Sequence, residues 1–297
     1  IPNMPLPFGR YGTEPCGGIA MLSRMKFGIC NEIFGDWAFA RVCDYAAGLG
    51  YAGIEIAPFT FAPDMNEIDA STRREIRQAV ETAGIDVVGL HWLLVGPQGL
   101  HLTHPDASVR ERTAQYLRDL AAFCGDIGGK VMIFGSPKQR SLVKGMDYRA
   151  AFDNARSVFE SVLPDCERHG VTLCMEQLSR LETDFCETVA QTVELIGAID
   201  HPKFRLLLDT KAMVFEQKDR SELIKECAKY LVHYHANDTN LRGPGTGDVD
   251  FVPIFEALNA IDYSGYVSVE VFEFEEGAEA IAGNSIRYMR ECLGRTT

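Results

Sequence analysis

Short apolar runs alternate with longer amphipathic stretches along most of the chain. From Lys26 onward, runs such as "GIEIA" (53–57) and "FRLLLD" (204–209) are dominated by apolar residues, as in buried strands. The stretches between them, such as residues 147–170, place apolar residues at helical spacing and end in glycine. This alternation predicts parallel strands joined by helices, with strands at 26–31, 53–57, 85–92, 130–135, 171–176, 204–209, 231–236 and 266–272.

The number of repeats indicates how these elements are arranged. Eight strand-helix pairs in about 270 residues match a (β/α)₈ barrel. A doubly wound open sheet would more often carry a GxGxxG loop after an early strand, and the sequence has none. We therefore predict an α/β fold with a single (β/α)₈ TIM barrel over residues 26–297. Residues 1–25, rich in proline and glycine, are interpreted as an N-terminal extension.

Composition excludes several classes of protein. The hydrophobic content of 46% with 24% charged residues is typical of a globular protein with a large core. The net charge of −13 argues against binding to nucleic acid, which requires basic surfaces. Nine cysteines without a CxxC pair indicate reduced thiols and a cytoplasmic protein. No apolar run is long enough to span a membrane, and the first residues do not resemble a signal peptide.

Metal-binding side chains stand at the ends of four successive predicted strands. They are Glu176, Asp209, His235 and Glu270. A single such residue is often a solvated or salt-bridged strand end, but the carboxyl ends of barrel strands meet at one rim, where active sites lie. Three carboxylates and one imidazole favour Mn²⁺, Mg²⁺ or Co²⁺ over a structural Zn²⁺, and leave coordination positions for substrate oxygens.

Two further polar residues lie inside predicted strands. His233 precedes His235 by two positions, so it faces the same side one layer deeper and is interpreted as a hydrogen-bonded core histidine that orients the metal ligand. Glu55 lies inside the second strand. It either reaches the pocket or pairs with a basic residue in the barrel floor, and the sequence does not distinguish these readings.

The strand-end segments carry a family resemblance. "LCMEQLSRLET", "LLLDTKAM", "HYHANDTNLRGPGTG" and "VSVEVF" resemble the sugar phosphate isomerase/epimerase family of xylose isomerase-like TIM barrels, especially its ketose 3-epimerase branch (tagatose and psicose 3-epimerases). The resemblance implies a divalent metal held by the four residues and a keto-sugar substrate. It also implies that Glu176 and Glu270 form the acid/base pair, through a cis-enediolate, and that Glu182 contacts a substrate oxygen.

The chain departs from the epimerase pattern at two positions. The epimerases place a substrate-binding histidine three positions after the metal aspartate, where this chain has Ala212, preceded by Lys211. They place an arginine six positions after the metal histidine, where this chain has Leu241, followed by Arg242. These departures favour a sugar derivative or polyol over a free ketohexose. The remaining candidate substrate contacts are His91, Trp92, Lys211, Asn237, Asp238 and Arg242.

Alternative functions remain open at this point. A metal-dependent dehydratase or lyase acting on a keto-polyol or keto-glycoside begins with the same proton abstraction. An apurinic endonuclease of this fold is less favoured because the chain is acidic and has only seven histidines, and a non-catalytic sugar-binding subunit is also less favoured. The resemblance further implies a homo-oligomer, a dimer or tetramer.

Overall fold

Eight parallel strands close into one barrel, which confirms the predicted fold class. The computed structural model describes residues 24–296, so that most of the predicted extension (1–25) lies outside the described residues. The strands are β1 Lys26–Cys30, β2 Gly53–Ile56, β3 Asp86–Leu90, β4 Val131–Phe134, β5 Thr172–Glu176, β6 Phe204–Asp209, β7 Leu231–Ala236 and β8 Tyr266–Val269. The helices are α1 Phe39–Leu49, α2 Ala70–Ala83, α3 Ala107–Asp126, α4 Tyr148–Arg168, α5 Val189–Ile199, α6 Arg220–Glu226, α7 Val252–Ala260 and α8 Ala278–Leu293.

The helices begin and end where the sequence provides caps. The side chains of Asp69, Asp106 and Asp147 accept hydrogen bonds from the first backbone N–H groups of α2, α3 and α4. Gly50 and Gly84 end α1 and α2 in the left-handed conformation that glycine adopts without strain. The capped helices pack their apolar faces on the barrel wall, where they form one continuous core.

Two strands end two or more residues earlier than predicted, and both ends shape the site. β3 stops at Leu90, and Trp92, two residues later, has a φ of 52°, which no regular strand accommodates. β8 stops at Val269, because the N–H groups of Phe272 and Glu273 bond to the carbonyl of Leu241 instead of continuing the ladder. Glu270 is therefore the first residue beyond β8.

The strand register brings the predicted ligands to one end of the barrel. Asp209 and His235 are paired across β6 and β7, and Glu270 donates its backbone N–H to Ala236 at the end of β7. Glu176 is the last residue of β5. Each helix within residues 24–296 is too short or too polar to cross a membrane.

Candidate functional site

The four predicted ligands converge in the structure. Glu176, Asp209, His235 and Glu270 each place one ligand atom so that all lie within 4.8 Å of one another. All four side chains are buried. Burying three carboxylates together is costly unless positive charge compensates them. The arrangement has the donor number and oxygen-rich chemistry of a site for a hard divalent cation.

One contact within this cluster tests whether a cation fits. Nδ1 of His235 lies 3.0 Å from Oε2 of Glu270, and neither buried atom has an aligned hydrogen-bond partner. Two acceptors at this distance need a proton or a cation between them. The carboxylates of Glu176 and Asp209 also face this point, so the residues fit a divalent cation.

The Asp209 carboxylate is held by its neighbours. Its Oδ1 accepts from the N–H of Ala212 at 2.9 Å, and its Oδ2 accepts from Nδ2 of Asn237 at 2.8 Å. The Asn237 carbonyl in turn accepts from the N–H of Lys211 at 2.9 Å. Asn237 therefore orients Asp209 and the chain after β6, and it does not line the cavity described below. This corrects its expected role as a substrate contact.

The two glutamates proposed as the acid/base pair sit in opposite electrostatic environments. Burial, reinforced by the charges of Glu270 and Asp209, raises the pKa of Glu176 to about 8. Burial also acts to raise the pKa of Glu270, but the charges of His235 and His91 and their contacts with its carboxylate together outweigh burial, so that this pKa lies below its usual range. Carboxyl pairs whose pKa values are separated in this way can divide proton donation and acceptance between them.

An open cavity of about 570 Å³ leads to the cluster. His91, Trp92, Glu182 and Lys211, which the sequence predicts as substrate contacts, line it together with Glu176 and Glu270. Nζ of Lys211 lies 2.8 Å from Oε1 of Glu182 and 4.4 Å from the ring centroid of Phe272. The negative groups around the site raise the pKa of Lys211 despite its burial, so the cavity contains a fixed cation beside a carboxylate.

Other residues of the cavity lining contain polar atoms without partners. Nε1 of Trp92 and Oγ of Ser136 belong to residues that line the cavity, and both lack a hydrogen-bond partner. Nε2 of His91 lies 2.9 Å from Oε2 of Glu32, but the contact is not aligned as a hydrogen bond. Because buried polar groups in native proteins are generally paired, the atoms of Trp92 and Ser136 are available to substrate hydroxyls or water.

Two predicted substrate contacts lie elsewhere. Arg242 forms ion pairs with Glu275 and Glu276, both at 3.2 Å, and does not line the cavity. The Asp238 carboxylate accepts from the N–H groups of Thr239 and Gly247, so it closes its own loop. Arg242 and Asp238 therefore stabilise the loop after β7, which corrects their sequence-based interpretation as substrate contacts.

The structure also reveals partners that the sequence did not identify. Glu55 is fully buried and bonds both His233 and His235, which excludes the reading that it reaches the pocket. Arg140 is fully buried and donates to the backbone carbonyls of Glu176 and Cys186, at 2.6 and 3.1 Å. The sequence of its segment, "FGSPKQR" (134–140), indicates only that the segment is polar. It does not identify the partners of Arg140, because bonds to backbone carbonyls depend on no particular residue type.

Apolar side chains are exposed at the end of the barrel where the cavity opens. Within the described residues, the exposed large hydrophobic side chains all lie in the loops that follow β5, β6, β7 and β8. These loops are at the same end of the barrel as the cluster. We refer to this set as the apolar rim, and it consists of Leu181, Val214, Phe215, Leu241 and Phe274.

Comparisons with known proteins give consistent results. The family model for xylose isomerase-like TIM barrels matches residues 43–292. A probable ketose 3-epimerase from Synechocystis sp. is 27% identical over 90% of this chain and 96% of its own length. A 3-dehydro-D-guloside 4-epimerase from Escherichia coli is 23% identical over 90% and 100%, respectively. Among solved structures, D-psicose 3-epimerase with D-tagatose from Clostridium cellulolyticum H10 superposes with a TM-score of 0.80 at 22% identity, covering 91% of this chain and 99% of that chain.

Proposed function

The chain belongs to the xylose isomerase-like TIM barrel family, and from this premise we propose that it is a divalent-metal-dependent epimerase or isomerase of a keto-sugar or sugar derivative. The observation that carries the proposal is the buried cluster of three carboxylates and one imidazole at the cavity floor. The epimerase relatives support the reaction class.

Glu176 and Glu270 act as the acid/base pair in this proposal. A divalent cation held by Glu176, Asp209, His235 and Glu270 would supply Lewis-acid polarisation of a substrate carbonyl. One glutamate removes the proton from the carbon next to that carbonyl, and the other returns it from the opposite face.

In this proposal, Lys211 and Glu182 form hydrogen bonds with substrate oxygens. Lys211 offers N–H donors and Glu182 offers carboxylate acceptors, so a sugar hydroxyl can bond both. The position that carries a histidine in the ketose 3-epimerase pattern is Ala212, which is buried and has no polar side chain. This difference favours a sugar derivative over a free ketohexose.

Metal content and hydrogen exchange test the function. The purified protein, reconstituted with Mn²⁺, Co²⁺ or Mg²⁺, is incubated in D₂O with a panel of keto-sugars and keto-polyols. We expect close to one metal per chain and deuterium incorporation at the carbon next to a carbonyl. Glu270→Gln should abolish exchange, whereas Glu275→Gln, an exposed acid that pairs only with Arg242, should retain it. Absence of metal after reconstitution would refute the proposal.

The mass of the product separates the alternatives. An epimerase or isomerase leaves the substrate mass unchanged, while a dehydratase loses water and a lyase releases a leaving group. Exchange followed by loss of 18 mass units, as expected for water, would identify the dehydratase. The net charge of −13 remains unfavourable to an apurinic endonuclease.

The apolar rim favours a second candidate substrate, a keto-glycoside. Leu181 adjoins Glu182 in sequence, and the carbonyl of Leu241 accepts from the N–H of Phe272, so two residues of the rim are next to residues that line the cavity. A relative named as a 3-dehydro-D-guloside 4-epimerase supports this choice. Comparing exchange in a 3-keto-glycoside with and without an apolar aglycone tests it. The keto-glycoside reading predicts a lower KM for the apolar aglycone, and equal KM values would contradict it.

A further inference from the structure

A carboxylate behind the site links two histidines of one strand. Glu55 lies on β2 and His233 and His235 lie on β7, 178 and 180 positions away in sequence. Oε2 of Glu55 is 2.8 Å from Nε2 of His233, and Oε1 is 2.9 Å from Nε2 of His235. All three side chains are almost completely inaccessible to solvent. Each oxygen of the carboxylate therefore serves one imidazole.

This contact determines which nitrogen of His235 carries hydrogen. An ionised carboxylate only accepts hydrogen bonds, so Nε2 of each histidine must be the donor. With hydrogen on Nε2, the neutral imidazole of His235 has its lone pair on Nδ1. That atom is the one directed at Glu270, 3.0 Å away, and it is 3.9 Å from Oδ2 of Asp209. The ring is thus turned so that its coordinating nitrogen faces the cluster.

His233 completes the arrangement from the other side. A buried carboxylate bonded on one oxygen alone would be free to rotate and would leave an acceptor unsatisfied, which is costly. Because His233 occupies Oε2, the other oxygen is fixed opposite His235. His233 therefore holds Glu55 in place, Glu55 holds His235, and His235 faces the cluster.

We propose that Glu55 is a positioning residue for the metal site: it fixes the tautomer and ring orientation of His235, and His233 fixes Glu55. This inference rests on the proposed function, since it concerns the metal that the function requires. Carboxylate partners of metal-bound histidines commonly affect metal affinity by about 10–100-fold. Glu55 does not line the cavity, and Nδ1 of His91 is 3.9 Å from its Oε1, whereas its hydrogen bonds go to His233 and His235, so its effect on the cluster acts through His235.

Two substitutions at Glu55 distinguish the effect of its hydrogen-bond geometry from the effect of its negative charge. Glu55→Asp keeps the negative charge but shortens the side chain by one methylene, so its oxygens no longer reach both histidines. Glu55→Gln removes the charge, yet its carbonyl can still accept from His235 if its amide donates to His233. Ser268→Ala is the matched control: Ser268 is buried opposite His235 in the β7–β8 register, and its hydroxyl has no hydrogen-bond partner.

The measurement is Mn²⁺ affinity, obtained by competition with a chromophoric chelator and independent of turnover. We expect Glu55→Asp to lose about 10–100-fold in affinity, Glu55→Gln to lose less, and Ser268→Ala to stay within about twofold. Wild-type affinity in Glu55→Asp would overturn the inference. A larger loss of Mn²⁺ affinity in Glu55→Gln than in Glu55→Asp would also overturn it, because the contribution of Glu55 would then come from its negative charge and not from the orientation of His235.

A measurement on the wild type keeps the inference testable if Glu55→Asp does not fold. Long-range ¹H–¹⁵N NMR of the Mg²⁺-loaded protein reports the tautomer of each histidine. Hydrogen on Nε2 of both His233 and His235 is expected, and hydrogen on Nδ1 of His235 would overturn the proposal. Failure of the wild type to bind any metal would instead refute the proposed function, so the two failures are distinguishable.

Discussion

Nδ1 of His235 and Oε2 of Glu270 lie 3.0 Å apart at the floor of the cavity, and neither has an aligned hydrogen-bond partner. With Glu176 and Asp209 facing the same point, negative charge accumulates where solvent cannot reach it. Repulsion within the cluster therefore destabilises the fold, and a bound cation would relieve it.

A bound cation should raise the stability of the folded chain. At a free Mn²⁺ concentration 100 times Kd, linkage predicts about 2.7 kcal/mol of additional unfolding free energy. Urea denaturation with Mn²⁺ and with excess chelator measures this difference. Glu270→Gln removes one ligand and should lose most of the Mn²⁺ effect. Equal stabilisation of Glu270→Gln and the wild type would show that Mn²⁺ binds elsewhere.

Removal of the Arg140 side chain should destabilise the fold. Arg140→Met leaves the backbone carbonyls of Glu176 and Cys186 without donors in a buried setting, with an expected loss of about 2–5 kcal/mol in the free energy of unfolding. Arg205 also donates to two backbone carbonyls but is only partly buried, so Arg205→Met should lose less than about 1 kcal/mol. Similar losses in urea denaturation would contradict this reasoning.

The pair of Lys211 and Glu182 should behave as one unit in catalysis. Lys211→Met and Glu182→Gln should each lower kcat/KM, mainly through KM, by about tenfold or more. Because the side chains are 2.8 Å apart and partly buried, a double-mutant cycle should give a coupling of about 0.5–3 kcal/mol. The exposed pair of Lys218 and Glu226 is the control, with an expected effect on kcat/KM near zero. Additive losses at Lys211 and Glu182 would mean that they bind substrate independently.

The cysteines should be unreactive in the folded protein. Those among residues 24–296 are all buried, and burial raises the pKa of Cys186 and of Cys227 to about 11. At pH 8, which is below these pKa values, only about one part in a thousand of such thiols is ionised. A chromogenic disulfide reagent should label at most one thiol per native chain, that of Cys16 outside the described residues, and nine after unfolding. Rapid labelling of two or more native thiols would contradict this.

The sequence predicted the architecture and the convergence of four candidate metal ligands, because both follow from local patterns. Strand ends of a parallel barrel share one rim, so Glu176, Asp209, His235 and Glu270 were placed together by periodicity and strand order. Contacts across the barrel have no such signal. Glu55 bonds His235 from a strand 180 positions away, and no pattern in the sequence favours that partner.

Loop residues were harder still to interpret. Arg242 is charged and close to His235 in sequence, which suggested a substrate contact, but Glu275 and Glu276 from another loop bind it. Asn237 was also expected to contact substrate, and in the structure it bonds Asp209. Both outcomes depend on how loops fold against one another, and side-chain type alone does not determine that.

Gly135 gives the last prediction, because it is next to the carboxylate of Glu176. It follows β4 and lines the cavity, and a Cβ atom there would collide with Oε2 of Glu176. Its φ is outside the left-handed region, so alanine is compatible with the backbone. Gly135→Ala should therefore move the carboxylate while leaving the barrel folded.

A shift of about 1 Å in a reacting group can lower the rate by about 100-fold. We expect Gly135→Ala to lower kcat by about 10–100-fold and to weaken Mn²⁺ binding, with little change in the thermal midpoint. Gly48→Ala is the matched control, since a Cβ at Gly48 on α1 meets no atom within 4 Å. Steady-state kinetics and chelator competition measure both effects. Unchanged kcat in Gly135→Ala would mean that the position of the Glu176 carboxylate does not limit the reaction, and Glu176 would lose its place in the proposed acid/base pair.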